Sequence, residues 1–343
     1  MNNSMPSEQN WRVPKHFKLI LLCSVILLGV CAAASLMLGS RVIGFAEMMD
    51  GLFRPEVDSY EANIVRKRIS RTVFSLCCGA ALGVSGALMQ SVTRNPIADP
   101  SILGVNTGAA LFVVSGMAFL NVGSAQSSIW LALVGAGLTA IFVYGVGSMG
   151  RGGATPIKLV LAGAATSAAL SSLVSAILLP RAYVMDQFRF WQVGSMGAGS
   201  WSSVATIAPF LILGLLIAII TAPALNALAL GDEAAAGLGV RLGVLRLIAA
   251  FAGVILCGAT TALSGPIAFV GLLATHVMRL ILGPDLRYVI PMSAVSGALI
   301  LTLSDVCGRV IGRPGELEVG VVTAFVGAPI LILLAIRSKV RSL

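Results

Sequence analysis

Long runs of apolar residues, separated by short polar connections, follow one another from residue 19 to residue 337. Lipid offers the backbone no hydrogen-bond partner, so an apolar run of about 20 residues is expected to cross a membrane as a helix. The pattern therefore predicts an all-α integral membrane protein with about ten transmembrane helices. The ten runs are 19–38, 70–91, 101–120, 128–148, 157–179, 203–222, 243–263, 267–282, 289–308 and 320–337.

The composition supports this prediction. Hydrophobic residues make up 57% of the chain and charged residues 11%, with a mean hydropathy of +0.96. A soluble domain carries about 25% charged residues, so this chain has too little polar surface to coat a water-soluble globule. We expect residues 19–337 to form a single ten-helix domain.

The distribution of basic residues predicts the orientation. Residues 1–18 are polar and basic, and the run that follows exceeds the roughly 7–15 apolar residues of a signal peptide, so it fits a retained first helix. With the N-terminus inside, thirteen of the 23 lysines and arginines fall on the inside, which is a weak but consistent bias. Both termini are therefore expected in the cytoplasm, as tails 1–18 and 338–343.

Several classes of function fit the composition poorly. A net charge of +9 can indicate nucleic-acid binding, but the basic residues lie between apolar runs and form no stripe, so no nucleic-acid partner is expected. The six cysteines lack the spacing of metal ligands, and no metal site is predicted. Only two histidines occur, which leaves no material for a nucleophile–base pair within the spans. We therefore expect a protein that is not an enzyme.

An ion-coupled secondary transporter is the main alternative of another class. Such proteins usually carry ionisable residues in the middle of their spans. Asp305 is the main candidate here, but it lies near the outer end of the ninth run. The sequence has no mid-membrane ionisable pair, which argues against ion coupling.

A polar stretch, RNPIADPSILGVNTG at 94–108, separates the second and third runs. Pro96 and Pro100 disfavour helical geometry at Asn95 and Asp99, so the second helix must end near Arg94. Pro100 can then occupy the first turn of the third helix, with Asp99 as its cap. The stretch is predicted to be a rigid inside turn and a candidate constriction.

A second polar stretch, PALNALALGDEAAAGLGVR at 223–241, is too short and too polar to span. We expect Pro223 in the first turn of a short helix, a break at Gly231 and a second turn capped by Asp232. The outer residues are mostly alanine and glycine, with no large apolar anchor. Such a surface suits a protein cleft better than lipid, although a simple interfacial helix stays open.

Basic residues cluster on the outside before the second helix and after the ninth. Two interpretations are open: headgroup contacts by long basic side chains, or a docking surface for an acidic soluble partner. The residues are Arg66, Lys67, Arg68, Arg71, Arg309 and Arg313.

Glycines line one side of the second helix at Gly79, Gly83 and Gly86, and open the third at Gly104 and Gly108. Small residues spaced in this way let helices approach closely. The spacing predicts a dense bundle with the second helix near its centre.

Three long segments resemble one known family. RNPIADPSILGVNTGA at 94–109, the segment 265–309 and the segment 316–337 are similar to the FecCD-type permeases of ABC importers, which carry iron siderophores, haem or cobalamin. The resemblance implies a ten-helix subunit of the bacterial cytoplasmic membrane, paired with a second permease. It also implies two cytoplasmic ATPase subunits and an extracytoplasmic binding protein as partners.

The resemblance also implies where ATP acts and what is carried. None of the five lysines follows a glycine, so the chain lacks a P-loop, and ATP and Mg belong to the partner ATPase, with no cofactor on this chain. An iron chelate, most of all a ferric siderophore, is the expected substrate, with haem or cobalamin as alternatives. Where the family usually has Pro-His, this chain has Thr275-His276, and we expect His276 to be structural.

Site residues follow from the same resemblance. Coupling to the ATPase is expected at Asp232, Glu233, Ala234, Ala235, Gly237 and Gly239. The cytoplasmic gate is expected at Asn95, Pro96, Ile97, Leu161 and Ser167. Docking of the binding protein is expected at Arg68, Arg71 and Arg309.

Overall fold

The computed structural model describes residues 17–120, 122, 125–150 and 155–338. Every regular element in these ranges is helical, as predicted. The α-helices are α1 (Phe17–Met37), α2 (Phe45–Phe53), α3 (Tyr60–Thr93), α4 (Val105–Phe119), α5 (Ala125–Ser148), α6 (Pro156–Leu178), α7 (Ala182–Val193), α8 (Trp201–Leu228), α9 (Asp232–Gly237), α10 (Leu242–Ser264), α11 (Val270–Leu282), α12 (Leu286–Ile311) and α13 (Val319–Ser338).

Each of the ten predicted runs overlaps one of these helices. Within the described residues, seven helices are long and apolar enough to cross a membrane: α1, α3, α5, α6, α8, α10 and α12. Helices α4, α11 and α13 are also apolar but shorter. The chain is therefore a multi-pass integral membrane protein. The terminal segments 1–16 and 339–343, which hold most of the two predicted tails, lie outside the described residues.

Two helices, α2 and α7, were not predicted. Both are short, and charged residues interrupt their apolar residues, so neither gives a long apolar run. Met48 and Gly51 of α2 are buried, and Gly51 faces Val65 of α3, whereas Phe45 and Phe53 are exposed. Helix α2 therefore fastens the connection between α1 and α3 to the side of α3.

Helix α3 lies at the centre of the bundle, as the glycine pattern predicted. It contacts α8, α10, α11 and α12, and most of its length is buried. The contacts with α11 and α12 are made between backbones: a Cβ at Gly86 would lie 2.5 Å from the carbonyl carbon of Gly271, and a Cβ at Gly83 would overlap the carbonyl oxygen of Ser293. Only glycine permits helices to approach this closely.

Contacts between helix ends divide the connections into two groups at opposite ends of the bundle. At one end, which we call the Arg94 end, the end of α3 meets the end of α8, and the starts of α1 and α10 meet α12 and α5. The pairs are Arg94–Leu228, Asn226–Asp285, Phe17–Tyr288 and Tyr144–Gly243.

At the opposite end, which we call the Arg71 end, the end of α1 meets the start of α3 and the end of α12. The ends of α4 and α10 and the start of α13 lie there too, beside the connections that flank α7. The pairs are Arg68–Leu36, Arg309–Ser35, Arg181–Phe119, Ser195–Ser264 and Gly194–Gly320.

Helix α6 differs from α3 because few of its residues are buried. Its exposed side combines a few large apolar residues with many alanines and serines; these include Ile157, Leu161, Leu173, Ser171, Ser172 and Ser175. Two of these hydroxyls donate to carbonyls of the same helix, Ser172 to Ala168 at 3.0 Å and Ser175 to Ser171 at 3.0 Å. Between Leu161 and Leu173 this side therefore carries only small exposed residues, whereas large apolar side chains cover α1 and α8.

The α3 contacts can be tested with one added methyl group. We expect Gly83→Ala to lower the free energy of unfolding by about 1–3 kcal/mol, because the new Cβ forces α12 away from α3. Gly137→Ala in α5 is the matched control, since a Cβ there meets nothing within 4 Å. Thermal unfolding in detergent measures both variants. Equal melting temperatures would contradict backbone contact between α3 and α12.

Candidate functional site

The turn after α3, residues 94–104, has the rigid form that its prolines predicted, and we call it the 94–104 turn. Helix α3 ends at Thr93, and Arg94 adopts a left-handed backbone with φ of 51°. Pro96 keeps Asn95 out of the helix. The Asn95 side chain then accepts a hydrogen bond from the Ile97 amide at 3.1 Å, and its carbonyl accepts one from Ala98 at 3.1 Å. These two hydrogen bonds hold residues 95–98 in a compact turn.

Asp99 is a cap, as expected, but the helix that it caps is not α4. Its carboxylate accepts from the Ser101 amide at 2.9 Å and opens a short 3-10 helix, Pro100–Leu103. The third predicted span therefore begins as an α-helix only at Val105, because Gly104, with φ of 72°, interrupts it. Burial raises the pKa of the Asp99 carboxyl, and the hydrogen bonds from Ser101 oppose this rise.

The predicted gate residues fall into two groups. Ser167 of α6 accepts a hydrogen bond from Thr107 at 3.1 Å, beside Gly104, so α6 supports the joint between the 3-10 helix and α4. Ile97 and Leu161 are exposed apolar side chains, and Leu161 is 65% exposed. Asn95 is half-buried and Pro96 is exposed. The structure thus joins Ser167 to Thr107 at the start of α4, and it leaves Pro96, Ile97 and Leu161 exposed.

The stretch 223–241 has one short helix rather than two. Pro223 does not start a helix, because α8 continues through it to Leu228. Ala222, Leu225 and Leu228 on this last part of α8 are buried, and their packing maintains the helix. Transmembrane helices tolerate such an internal proline when neighbouring helices support the backbone. The predicted break at Gly231 is confirmed, since its φ of 116° is open to glycine but not to other residues.

Helix α9 presents the predicted small residues at the surface of the Arg94 end. Glu233, Ala234, Gly237 and Gly239 are exposed, and Ala235 faces inward. Gly231 rather than Asp232 is the N-cap, so the capping expectation for Asp232 was wrong. The expectation that the segment has no large apolar residue at its surface was also wrong, because Leu230 and Leu238 flank α9 and are 55% and 66% exposed.

Asp232 instead forms an ion cluster with two arginines. Its carboxylate pairs with Arg94 from the 94–104 turn and with Arg246 from α10, whose Nη2 lies 2.8 Å from Oδ1. Arg94 also donates to the Leu228 carbonyl at 2.6 Å. Sequence reasoning missed this cluster, because Arg94 is far from Asp232 in the chain and no local spacing links them. We call these three residues the Asp232 cluster.

A second carboxylate anchors the end of α8 on its other side. Asn226 donates to Asp285 at 2.7 Å and accepts from the Leu286 amide at 2.9 Å, which joins α8 to the start of α12. Burial alone would raise the pKa of the Asp285 carboxyl, but hydrogen bonds from Arg287 and Asn226 outweigh burial and lower it. The α8–α10 connection is therefore held by polar groups on both sides.

At the Arg71 end, two of the three predicted docking arginines are buried. Arg68 donates to the carbonyls of Leu36 at 2.8 Å and Arg41 at 2.8 Å, which satisfies the end of α1. Arg309 donates to the Ser35 carbonyl at 3.0 Å. Their exposed fractions are 7% and 2%. Each guanidinium is thus used inside the chain, and neither is presented at the surface as the docking expectation requires.

Arg71, the third of these arginines, pairs with two carboxylates. It lies 2.7 Å from Asp305 and 2.7 Å from Glu316, and the Asp305 side chain is 2% exposed whereas that of Glu316 is 41% exposed. Arg309 pairs with the second oxygen of Asp305 at 3.0 Å. Asp305, the candidate for ion coupling, is therefore held between two arginines.

Helix α11 contains the position at which this chain has threonine and FecCD-type permeases usually have proline. Thr275 is buried and donates to the Gly83 carbonyl at 3.3 Å, so it joins α11 to α3. His276 is half-buried, and its structural role stays a prediction. In the described part of the chain, no group of three or more His, Cys, Asp or Glu side chains could hold a metal ion.

This chain matches a known protein family over most of its length. The model of the FecCD transport family matches residues 26–337. The chain belongs to the FecCD transport family. One relative in it is the ferric enterobactin transport system permease protein FepD of Escherichia coli (strain K12), which is 41% identical over 319 residues, 92% of this chain and 94% of the relative.

Other similar proteins extend the comparison. The Fe(3+)-citrate import system permease protein YfmD of Bacillus subtilis (strain 168) is 39% identical over 305 residues, 89% of this chain and 90% of the relative. A solved metal-chelate type ABC transporter in an inward-facing conformation superposes with a TM-score of 0.80 at 26% identity, over 93% of this chain and 99% of that one. The FecCD fold therefore covers nearly the whole chain.

The pairing of Asp305 predicts a large effect of its removal. We expect Asp305→Asn to lower the free energy of unfolding by about 3–5 kcal/mol, because Arg71 and Arg309 would lose their buried counter-charge. Asp186→Asn is the control, since that carboxylate is 71% exposed. Thermal unfolding in detergent compares the two. An equal and small effect would mean that Asp305 is not held as a buried counter-ion.

Proposed function

We propose that this chain is the permease subunit of an ABC importer that carries a ferric siderophore across the bacterial cytoplasmic membrane. The observation that carries the proposal is the 41% identity to the ferric enterobactin permease over 319 residues. YfmD and the hydroxamate permease FhuB, also of Bacillus subtilis (strain 168), are named for ferric chelates as well. Haem and cobalamin are the alternative substrates within the family.

The proposal includes ten spans with both termini in the cytoplasm. In this proposal ten helices cross the membrane in alternating directions between the Arg94 end and the Arg71 end: α1, α3, α4, α5, α6, α8, α10, α11, α12 and α13. Ten alternating crossings return the chain to the end where it began. The N-terminal and C-terminal tails then share the cytoplasmic side with the 94–104 turn and α9, and residues 19–337 act as one domain.

Partner ATPase subunits would bind at α9. This helix is exposed at the Arg94 end, its small residues leave room for a close-fitting protein surface, and Leu230 and Leu238 supply apolar contacts on either side. The chain has no P-loop, so the proposal places ATP, Mg and hydrolysis on two such subunits. Closure of the ATPase pair would push α9, and the 94–104 turn nearby would open or close the path.

A second permease subunit would pair along α6. A lipid-facing helix normally carries large apolar side chains along its length, whereas the exposed residues of α6 between Leu161 and Leu173 are all alanine or serine. Small residues favour close helix association, and hydroxyls suit a path that admits water. We therefore propose that α6 lies at the interface between the two permeases and lines the path of the chelate.

The extracytoplasmic binding protein would dock at the Arg71 end. A cavity of about 500 Å³ opens there beside Arg41, Lys67, Arg71 and Glu316. Lys67 is exposed, and the Arg41 side chain is 58% exposed, so both can meet an acidic partner. Arg71 can contribute if a partner carboxylate replaces Glu316. Arg68 and Arg309 would act indirectly, by holding α1, α3 and α12 in place.

Ion coupling is the competing function, and the pairing of Asp305 argues against it. A proton or sodium carrier needs a carboxylate that exchanges its partner during transport. Asp305 has arginines on both oxygens and lies at the end of the bundle rather than at mid-span. The structure thus offers no free carboxylate at the position where the sequence suggested one.

Uptake in cells that lack this chain tests the function. We expect the chain to restore uptake of radiolabelled iron supplied as ferric enterobactin or ferric citrate. Depletion of cellular ATP should abolish uptake, whereas a proton ionophore at a constant ATP concentration should leave uptake unchanged. Uptake that follows the proton gradient would instead support a secondary transporter, and uptake of haem or cobalamin alone would reassign the substrate.

Coupling at α9 can be tested on its exposed side. We expect Glu233→Arg combined with Ala234→Arg to lower iron uptake by at least about tenfold at an unchanged protein level, because both side chains are exposed and would disturb only a docked partner. Met149→Arg, at another exposed position of the Arg94 end, is the control for added charge. Normal uptake in the double variant would remove α9 from the coupling surface.

A further inference from the structure

The Asp232 cluster joins three parts of the chain that are separate in sequence. Asp232 is the first residue of α9, Arg94 begins the 94–104 turn, and Arg246 lies in the first turns of α10. Both Arg246 contacts run from Nη2, at 2.8 Å and 3.0 Å to the two carboxylate oxygens. One carboxylate therefore binds two guanidinium groups, one from the turn after α3 and one from α10.

Arg94 is bound on both sides of the break between α8 and α9. Its Nη2 donates to the Leu228 carbonyl at the end of α8 and to Asp232 at the start of α9. The break at 229–231 would otherwise let α9 swing independently of α8, because Gly231 has a backbone open to many conformations. The Arg94 side chain bridges that break.

The Arg94 backbone is also held in place within its own turn. Its amide donates to the Gln90 carbonyl, and the Asn95 amide donates to the same carbonyl at 3.2 Å. Asn95 in turn closes residues 95–98 through its side chain and carbonyl. A displacement of the guanidinium is therefore transmitted to the turn rather than absorbed by a loose backbone.

Arg246 makes separation of α9 from α10 unfavourable. It is 6% exposed, and its side chain ion-pairs with Asp232. If α9 moved away alone, this buried guanidinium would lose its counter-charge, which is costly in a low-dielectric surrounding. The favourable movement is one in which α9, the start of α10 and Arg94 move together.

We propose that Asp232 joins α9 to the 94–104 turn, so that a displacement of α9 moves the turn directly. Asp232 and Arg94 are positioning residues in this scheme. The inference rests on the proposed function, in which α9 receives the push of the ATPase and the turn narrows the path. It adds the side chains that carry the movement between them.

Amide hydrogen exchange of the full chain in lipid nanodiscs tests the link without any partner. We expect Asp232→Asn to speed exchange of the amides in 95–104 by about tenfold, because the turn loses its anchor. Glu233→Gln is the matched control: it removes the same charge one residue away, from an exposed side chain outside the cluster. Its exchange in 95–104 should equal that of the wild type.

Testing the effect in both directions distinguishes a link between the two segments from local loosening of one of them. Linked segments must affect each other, so Arg94→Gln should speed exchange in 232–239, just as Asp232→Asn speeds it in 95–104. Asp232→Glu keeps the charge and should restore most of the protection. Unchanged exchange in 95–104 in Asp232→Asn would overturn the link, as would faster exchange spread evenly over the bundle, which would indicate general destabilisation.

The result of the hydrogen-exchange experiment does not depend on the transport assay. If the exchange experiment shows no link but iron uptake depends on ATP, the proposed function would still hold. Only the role of Asp232 in its mechanism would be rejected. If the two segments affect each other's exchange but iron uptake does not depend on ATP, the link would be supported and the proposed importer function would be contradicted. The two failures are therefore distinguishable in the same set of variants.

Discussion

Hydrocarbon offers no hydrogen-bond partner, and the rest of this structure follows from that constraint. Every backbone group in the spans must be satisfied within a helix or by a neighbouring polar side chain. Arg68 and Arg309 satisfy the end of α1, and Arg94 satisfies the end of α8. The polar residues of this chain lie mainly where helices stop, and there they join one helix to another.

The second requirement is close approach at the centre. Helix α3 can contact α8, α10, α11 and α12 together because glycines remove the side chains that would separate its backbone from those of α11 and α12. The same helix carries Arg71 in its first half and Arg94 directly after its last residue. A rigid central helix thus holds the proposed docking end and the proposed gate end at a constant distance from each other.

The two ends use charge differently. At the Arg71 end, Asp305 is enclosed between two arginines, and Glu316 is the carboxylate open to replacement. At the Arg94 end, Asp232 is partly exposed and joins a surface helix to a turn. A buried pair keeps helices in register, whereas a partly exposed one can transmit movement. This difference fits an importer that receives cargo at one face and ATP-driven force at the other.

The sequence by itself determined the helical membrane class, the positions of ten apolar helices and the breaks at residues 94–104 and at Gly231. These depend on local properties: apolar length, proline geometry and the conformational range of glycine. Only the tertiary structure decided that α8 continues through Pro223, that α2 and α7 form, and that Arg68 and Arg309 are buried. It also brought Arg94 and Arg246 to Asp232. Such pairings depend on which helices are neighbours, and residue spacing along one helix does not contain that information.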